Sequence, residues 1–180
     1  MGKRRNNPIQ KDDKNQSREG RQGLKKFITK CAVIAGIGYI FLNFVVGVIF
    51  VKNIHMFPNL KVGDLAIYSR IYDNIKINDV VVYQEEDYER VGRVVAQSGD
   101  IVDITDKGEL MVNGHIREEE LPYQTSAHSS GVNYPYEIPA GSYFVLYDFR
   151  KEQTDSRFIG AIPINKIKGV VTTLIRVRDI

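Results

Sequence analysis

The feature that constrains this chain most is a run of twenty-one residues without a formal charge, from Cys31 to Val51. As an α-helix rising ~1.5 Å per residue, the run would measure about 31 Å, close to the ~30 Å hydrocarbon core of a bilayer. We therefore predict a transmembrane helix over residues 27–51. A cleaved signal peptide is the rival interpretation, but the run is longer than the apolar region of such a peptide and no small-residue cleavage motif follows it.

Charge is distributed unevenly around this run. Residues 1–30 carry ten Lys or Arg and three Asp or Glu, a net charge of +7, so the remainder must sum to −4 to give the total of +3. Because residues 1–26 contain few large apolar side chains, we predict a disordered tail. The positive-inside rule places this tail in the cytoplasm and residues 52–180 outside it. A basic tail beside an acidic remainder argues against nucleic-acid binding.

Residues 52–180 are predicted to form an all-β domain. Short runs of β-branched and aromatic residues alternate with turn signals, and Asn113-Gly114 is a strong hairpin signal. No segment here shows a sustained apolar period of 3.6 residues, so the pattern favours a barrel or sandwich of short antiparallel strands. The predicted strands are residues 65–68, 79–83, 93–96, 101–104, 109–112, 143–147 and 170–177.

Residues 118–139 are predicted to form a loop or mobile insertion, since they combine acidic residues, prolines and a Ser/His/Gly cluster. His128 lies beside three serines in this cluster, but a flexible polar segment lacks the support that catalytic geometry needs. Three scattered histidines and the single Cys31 form no recognisable metal-ligand spacing. We therefore expect no metal, no cofactor and no intrachain disulfide.

Two sequence blocks resemble a known family. The segment from His55 to Leu60, followed by Gly63-Asp64, resembles the Ser-Met-x-Pro-Thr-Leu box of type I signal peptidases, whose serine is the nucleophile. Residues 92–100 resemble the family's Lys-Arg-Val-Val-Gly-Leu-Pro-Gly-Asp, whose lysine is the general base. His55 and Gly92 therefore occupy the nucleophile and base positions. Further matches at residues 79–83 and 148–169 extend the resemblance over roughly residues 50–172, which implies the signal peptidase fold.

The resemblance also implies how the site has changed. In the family a buried, neutral lysine takes the proton of the serine, and neither residue is present here. We therefore expect no catalytic residues and no enzymatic activity. By the same alignment Tyr147, Phe149 and Gln153 replace residues around the lysine, and we expect the Tyr147 ring to fill space vacated at Gly92. The positions matching a structural ion pair of the family and the residue between them are Asp155, Ser156 and Arg157.

In the family the substrate lies extended along strand edges, and main-chain hydrogen bonds supply much of the affinity. The resemblance implies that such edges lie near residues 52–55 and 89–92; strand edges that serve only the fold are the alternative. The candidate cleft residues are Asn53, Ile54, His55, Met56, Pro58, Arg90, Val91 and Gly92.

Three functions remain open on the sequence. The resemblance is best to the inactive signal-peptidase-like proteins of Gram-positive sortase-assembled pili, which implies a membrane-anchored chaperone or assembly factor. Its expected partners are the membrane and a secreted protein or pilin, with sortase as a further candidate. The first alternative is an active type I signal peptidase that cleaves signal peptides of exported proteins. The second is a structural membrane subunit, which a filled cleft would identify.

Overall fold

A computed structural model of the chain describes residues 9–176, with side chains from residue 23 onward. The chain divides into two compact units, one up to residue 43 and one from residue 44. Helix α1 (Ile9–Ile40) dominates the first and continues as one turn of π-helix, Phe41–Val45. Within the described residues, one helical stretch, Gly23–Val45, is long and apolar enough to cross a bilayer. It fits a single transmembrane helix.

The helix boundaries differ from our prediction at both ends. Residues 9–26, which we expected to be disordered, are helical, consistent with the high helix propensity of Lys, Arg, Gln and Glu; residues 1–8 of the predicted tail lie outside the described part. At the other end, residues 46–50 form a strand rather than the last turn of the transmembrane helix. Val and Ile fit a strand as well as an apolar helix, so composition alone did not distinguish the two.

The described part of the second unit contains eleven strands, one short α-helix and one turn of 3-10 helix, Ile164–Lys166. They are β1 (Val46–Phe50), β2 (Leu65–Ser69), β3 (Val80–Glu85), β4 (Tyr88–Gln97), β5 (Ile101–Ile104), β6 (Leu110–Val112), β7 (His115–Ile116), β8 (Tyr136–Glu137), β9 (Ser142–Leu146), α2 (Ser156–Ile159), β10 (Ile162–Pro163) and β11 (Ile167–Ile175). All strand pairs are antiparallel. The prediction of an antiparallel β domain behind one apolar helix is confirmed.

The strands form two sheets. The larger sheet has the order β1-β2-β11-β3-β4-β9-β10, and the smaller one β7-β6-β5-β8. In the smaller sheet the predicted Asn113-Gly114 turn joins β6 to β7, with φ of 53° and 79° at the two residues, as a tight hairpin requires. The segment 118–139 is mostly loop but includes β8, which pairs with β5.

One buried apolar cluster lies beside His55 and includes Met56, the next residue in the chain. Val51, Met56 and Leu60 lie on the segment that joins β1 to β2, and they are buried together with Ala66 of β2 and Tyr147, which follows β9. Burying a side chain such as Met56 stabilises the fold by about 1.5–3 kcal/mol. This packing holds the β1–β2 connection against the chain that follows β9.

Candidate functional site

His55 lies on the β1–β2 connection and is tied to the segment after β9. Its backbone carbonyl accepts a hydrogen bond of 2.9 Å from the amide of Phe149, and its own amide donates to Asn53 Oδ1 at 3.3 Å. The next side chain, Met56, is 1% exposed. The backbone at position 55 is therefore anchored on both sides, while the imidazole is half-buried.

The His55 imidazole stacks on the ring of Tyr147. The ring centroids are 4.2 Å apart and the planes differ by 20°. Tyr147 is fully buried, and its hydroxyl donates to the Thr154 carbonyl at 3.2 Å and accepts from Arg90 Nη1 at 3.0 Å. Its amide donates to Asp155 Oδ2 at 2.9 Å. Tyr147 is thus a fixed platform for the imidazole.

The space beside Gly92 is filled by residues other than the one we expected. A Cβ at this position would lie 2.5 Å from Val145 Cγ1, 3.4 Å from the Leu146 carbonyl oxygen and 3.4 Å from Tyr83 Cε1. Val145 and Tyr83 therefore supply the closest contacts, whereas Tyr147 lies under His55. Gly92 belongs to a packed part of the sheet that has no room for a side chain.

A buried ion pair lies behind the platform. Arg157 Nε and Nη2 donate to the two carboxylate oxygens of Asp155 at 2.8 and 2.7 Å, and both side chains are 0% exposed. Arg157 Nη1 also donates to the Arg150 carbonyl at 2.8 Å. The hydroxyl of Ser156 accepts from the Val145 amide at 3.0 Å. The predicted structural block thus fastens α2 to β9 and to the chain after it.

Arg150 and Asp148 extend this buried network, although the sequence offered only their match to a family motif. Arg150 Nη1 donates to the Tyr147 carbonyl at 2.7 Å, and its guanidinium pairs with Glu119. Burial lowers the pKa of Arg150, and the charge of Glu119 opposes that shift. The carboxylate of Asp148 accepts from Arg93 Nε at 2.7 Å. These contacts fix the course of residues 147–150.

Gln153 and Phe149, which we expected near the position of the base, contact other parts of the chain. Gln153 directs its amide toward the Ser126 carbonyl at 3.5 Å, so the group that bonds the Tyr147 hydroxyl comes from Thr154 instead. Phe149 packs its ring edge against Tyr123, with centroids 5.0 Å apart. Both side chains lie toward the 118–139 segment, a placement that sequence alignment alone did not reveal.

An open groove of ≈ 560 Å³ is lined by Asn53 and Met56, which lie on either side of His55 in the chain. Of the predicted cleft residues, Asn53, Met56, Arg90 and Val91 line it, whereas Ile54, His55, Pro58 and Gly92 do not. Its full lining is Val48, Ile49, Phe50, Val51, Lys52, Asn53, Met56, Asp87, Tyr88, Glu89, Arg90 and Val91. An open groove disfavours the alternative of a structural subunit with a filled cleft.

Two strand edges border the groove. β1 pairs with β2 on one side, and it is the last strand of its sheet. β4 pairs with β3 from Tyr88 to Arg93, but with β9 only from Arg93 to Gln97. In the described part of the chain, the outer edges of β1 and of residues 88–92 therefore have no strand partner. Such edges offer free main-chain donors and acceptors to an added strand.

Electrostatics favour a neutral imidazole at His55. Burial lowers the pKa of His55, and this effect exceeds the upward influence of Glu152; Arg90 lowers the pKa further and Asp155 raises it. With a pKa below the usual 6.5, the ring is a free base at neutral pH. A neutral imidazole beside a groove can accept a proton from a reacting group.

Comparison with known proteins identifies relatives along most of the chain. Thylakoidal processing peptidase 1, chloroplastic, of Arabidopsis thaliana is 27% identical over 184 residues, which cover 88% of this chain and 52% of that protein. Signal peptidase I of Bacillus caldolyticus is 31% identical over 163 residues, 81% of this chain and 85% of that protein. The chain thus spans about half the length of the Arabidopsis protein.

A solved structure of a signal peptidase I from Enterococcus faecalis V583 superposes with a TM-score of 0.47 at 20% identity, over 57% of this chain and 100% of that one.

These relatives overturn one expectation. From His55 and Gly92 we expected a protein without enzymatic activity, but the similar proteins are named as processing peptidases and signal peptidases. The absence of the serine and the lysine at His55 and Gly92 was therefore not a sufficient reason to exclude enzymatic activity.

The family model that matches the chain is described as signal peptidase, peptidase S26, and it covers residues 24–175, including the apolar helix, the groove and the buried ion pair. The chain belongs to the signal peptidase family, peptidase S26.

Proposed function

We propose that this protein binds an extended segment of an exported protein in the groove beside His55 and hydrolyses a peptide bond there. The observation that carries the proposal is the groove itself, bordered by two unpaired strand edges. Family membership supports the same function, since the relatives are named for peptidase activity.

The groove geometry favours binding by strand addition. A segment placed between β1 and residues 88–92 can bond the main chain on both of its sides, which gives affinity with little dependence on sequence. Side chains of the segment would alternate between the groove floor at Met56 and Val91 and the open side. The apolar floor therefore favours small or apolar side chains at alternate positions.

The proposed hydrolysis uses His55 as the general base. The neutral imidazole accepts a proton from a water molecule as the water oxygen attacks the carbonyl carbon of the bound segment. The imidazolium then returns the proton to the leaving amine as the C–N bond breaks. Stacking on Tyr147 restricts the ring to one plane, and the lowered pKa keeps the base form populated at neutral pH.

Membrane attachment would place this groove where exported proteins emerge. The stretch Gly23–Val45 is apolar enough to span the bilayer, and β1 follows it directly. We propose a single-pass protein with its N-terminus in the cytoplasm and its β domain outside, as the positive charge of residues 1–30 favours.

A pilin precursor is the exported protein that we propose to test first, with sortase as a further partner. The support is the resemblance to signal-peptidase-like proteins associated with pilus assembly, which rests on the single anchor, the compact outer domain and the replacement of the Ser/Lys pair by His55 and Gly92. Capture of exported proteins by the membrane-anchored chain, followed by mass spectrometry, identifies the ligand directly.

His55→Ala is expected to reduce cleavage of a bound precursor roughly a hundredfold, because general-base catalysis typically contributes 10²–10⁴-fold. The full-length chain in lipid vesicles is incubated with precursor proteins, and products are measured by mass spectrometry. Wild-type cleavage should rise with pH as His55 becomes neutral, with a midpoint below the usual imidazole pKa of 6.5, since burial lowers the His55 pKa.

His115→Ala is the matched control, because His115 is an exposed histidine on β7 and its loss should leave cleavage unchanged. Equal rates for His55→Ala and wild type would contradict the role of His55. Binding of precursors without any cleavage by wild type would contradict hydrolysis while leaving strand addition intact.

A further inference from the structure

Arg90 connects the groove to the platform under His55. Its side chain lines the groove, its guanidinium pairs with the Glu85 carboxylate on the neighbouring strand, and Nη1 donates to the Tyr147 hydroxyl at 3.0 Å. A planar guanidinium that is held by an ion pair on one strand and donates a hydrogen bond to a second group has little freedom to move. Arg90 is therefore linked to His55 through Tyr147, which bonds the guanidinium at its hydroxyl and stacks its ring on the imidazole.

The Tyr147 hydroxyl is fully engaged by this arrangement. Its single hydrogen is donated to the Thr154 carbonyl at 3.2 Å, and its oxygen accepts from Arg90. Because Oη lies on the χ2 axis, these two hydrogen bonds hold the hydroxyl end of the ring in place rather than its rotation about that axis. They thereby limit the tilt of the buried ring on which the imidazole stacks at 4.2 Å.

We propose that Arg90 is a positioning residue, which acts through Tyr147 to set the orientation of the His55 imidazole. The inference rests on the proposed function for its consequence in catalysis, but the positioning itself is a property of the unliganded chain. Glu85 belongs to the same arrangement, because its carboxylate pairs with the Arg90 guanidinium.

The charges around His55 agree with this assignment. Glu152 and Asp155 favour the protonated imidazole, whereas burial and the positive charge of Arg90 favour the neutral one. Removing the charge of Arg90 therefore shifts the balance toward the protonated form. Arg90 has a side chain that is 26% exposed, so its replacement by another polar residue is compatible with folding.

Nuclear magnetic resonance of the full chain with isotope-labelled histidine, in detergent micelles, tests the proposal without any peptide. In Arg90→Gln we expect the His55 pKa to rise and the ring-current shift from Tyr147 to diminish. Arg90→Lys should restore the pKa, because it keeps the charge, but not the ring-current shift, because an ammonium lacks the planar fork. Tyr147→Phe should keep the stacking ring while it loses the hydrogen bonds that hold the hydroxyl end of that ring in place. The resonances of His115 and His128 in the same spectra serve as internal references for those of His55.

Unchanged His55 resonances in both Arg90→Gln and Tyr147→Phe would overturn the proposal. This readout is independent of peptide binding, so a failure to bind or cleave precursors would count against the proposed function alone. Where the wild type cleaves, Arg90→Gln should lower kcat on the order of tenfold to a hundredfold, as expected for a misplaced base. A kcat equal to that of wild type would contradict the positioning role.

Discussion

Arg157→Ala is expected to lower the free energy of unfolding of the β domain by about 3–5 kcal/mol, because it leaves the carboxylate of Asp155 buried without its cation. Both side chains are 0% exposed and share two hydrogen bonds. The change also removes donors to the carbonyls of Arg150 and Ser126. Chemical denaturation of the full chain in detergent, followed by tyrosine fluorescence, measures the loss.

Arg176→Ala is the control, because Arg176 is an exposed arginine near the end of β11. A surface change of this kind should alter stability by less than about 0.5 kcal/mol. Similar losses for Arg157→Ala and Arg176→Ala would contradict the account of Asp155 and Arg157 as a buried structural pair.

Gly92→Lys is expected to destabilise the β domain by at least about 3 kcal/mol. The first added carbon would lie 2.5 Å from Val145 Cγ1, and overpacking of this kind typically costs about 1–3 kcal/mol. The ammonium would add the cost of a charge in a buried region. A lysine at position 92, the family's base, thus does not fit the packing of this chain.

Gly92→Ala separates the cost of overpacking from the cost of burying a charge. It should cost about 1–3 kcal/mol through overpacking alone. Gly36→Ala makes the same substitution in α1, where an added Cβ meets no described atom within 4 Å, and it should be neutral or slightly stabilising. If the full chain tolerates Gly92→Lys as well as Gly36→Ala, the packing around β4 differs from our description.

Much of the fold could be predicted from local sequence. The Asn113-Gly114 turn and the short β-branched runs specify strands and hairpins through backbone preferences, and a strand lies at each predicted run. The short strands β7, β8 and β10 were not predicted, and residue 177 of the last predicted strand lies outside the described residues. The strand β1 could not be predicted, because its Val and Ile residues continue an apolar run without interruption. Its pairing with β2 depends on tertiary structure, which local propensity does not report.

The site was less accessible to sequence analysis. The block Asp155–Arg157 could be located by its resemblance, but the stacking of His55 on Tyr147 brings together residues far apart in sequence. The side chains of Val145 and Tyr83, which fill the space at Gly92, read in the sequence as ordinary strand residues. The expectation of an inactive protein rested on aligned positions, His55 and Gly92 and the changed residues around them, whereas chemistry depends on how the side chains are assembled in space.

Hydrogen exchange of the full chain in lipid vesicles, with and without a precursor peptide, tests the central claim that the groove binds an extended segment. We expect slower exchange of amides in β1 and in residues 88–92, the two edges that border the groove. Phe50→Asp, in the groove lining, should weaken this protection and reduce affinity roughly tenfold, the equivalent of about 1.4 kcal/mol.

Ile116→Asp is the matched control, because Phe50 and Ile116 are 59% and 56% exposed on strands of different sheets. It should leave the exchange pattern and the affinity unchanged. Protection of both edges by the peptide, lost in Phe50→Asp and kept in Ile116→Asp, is the result the account predicts. Protection confined to the smaller sheet, or equal binding by the two variants, would contradict it.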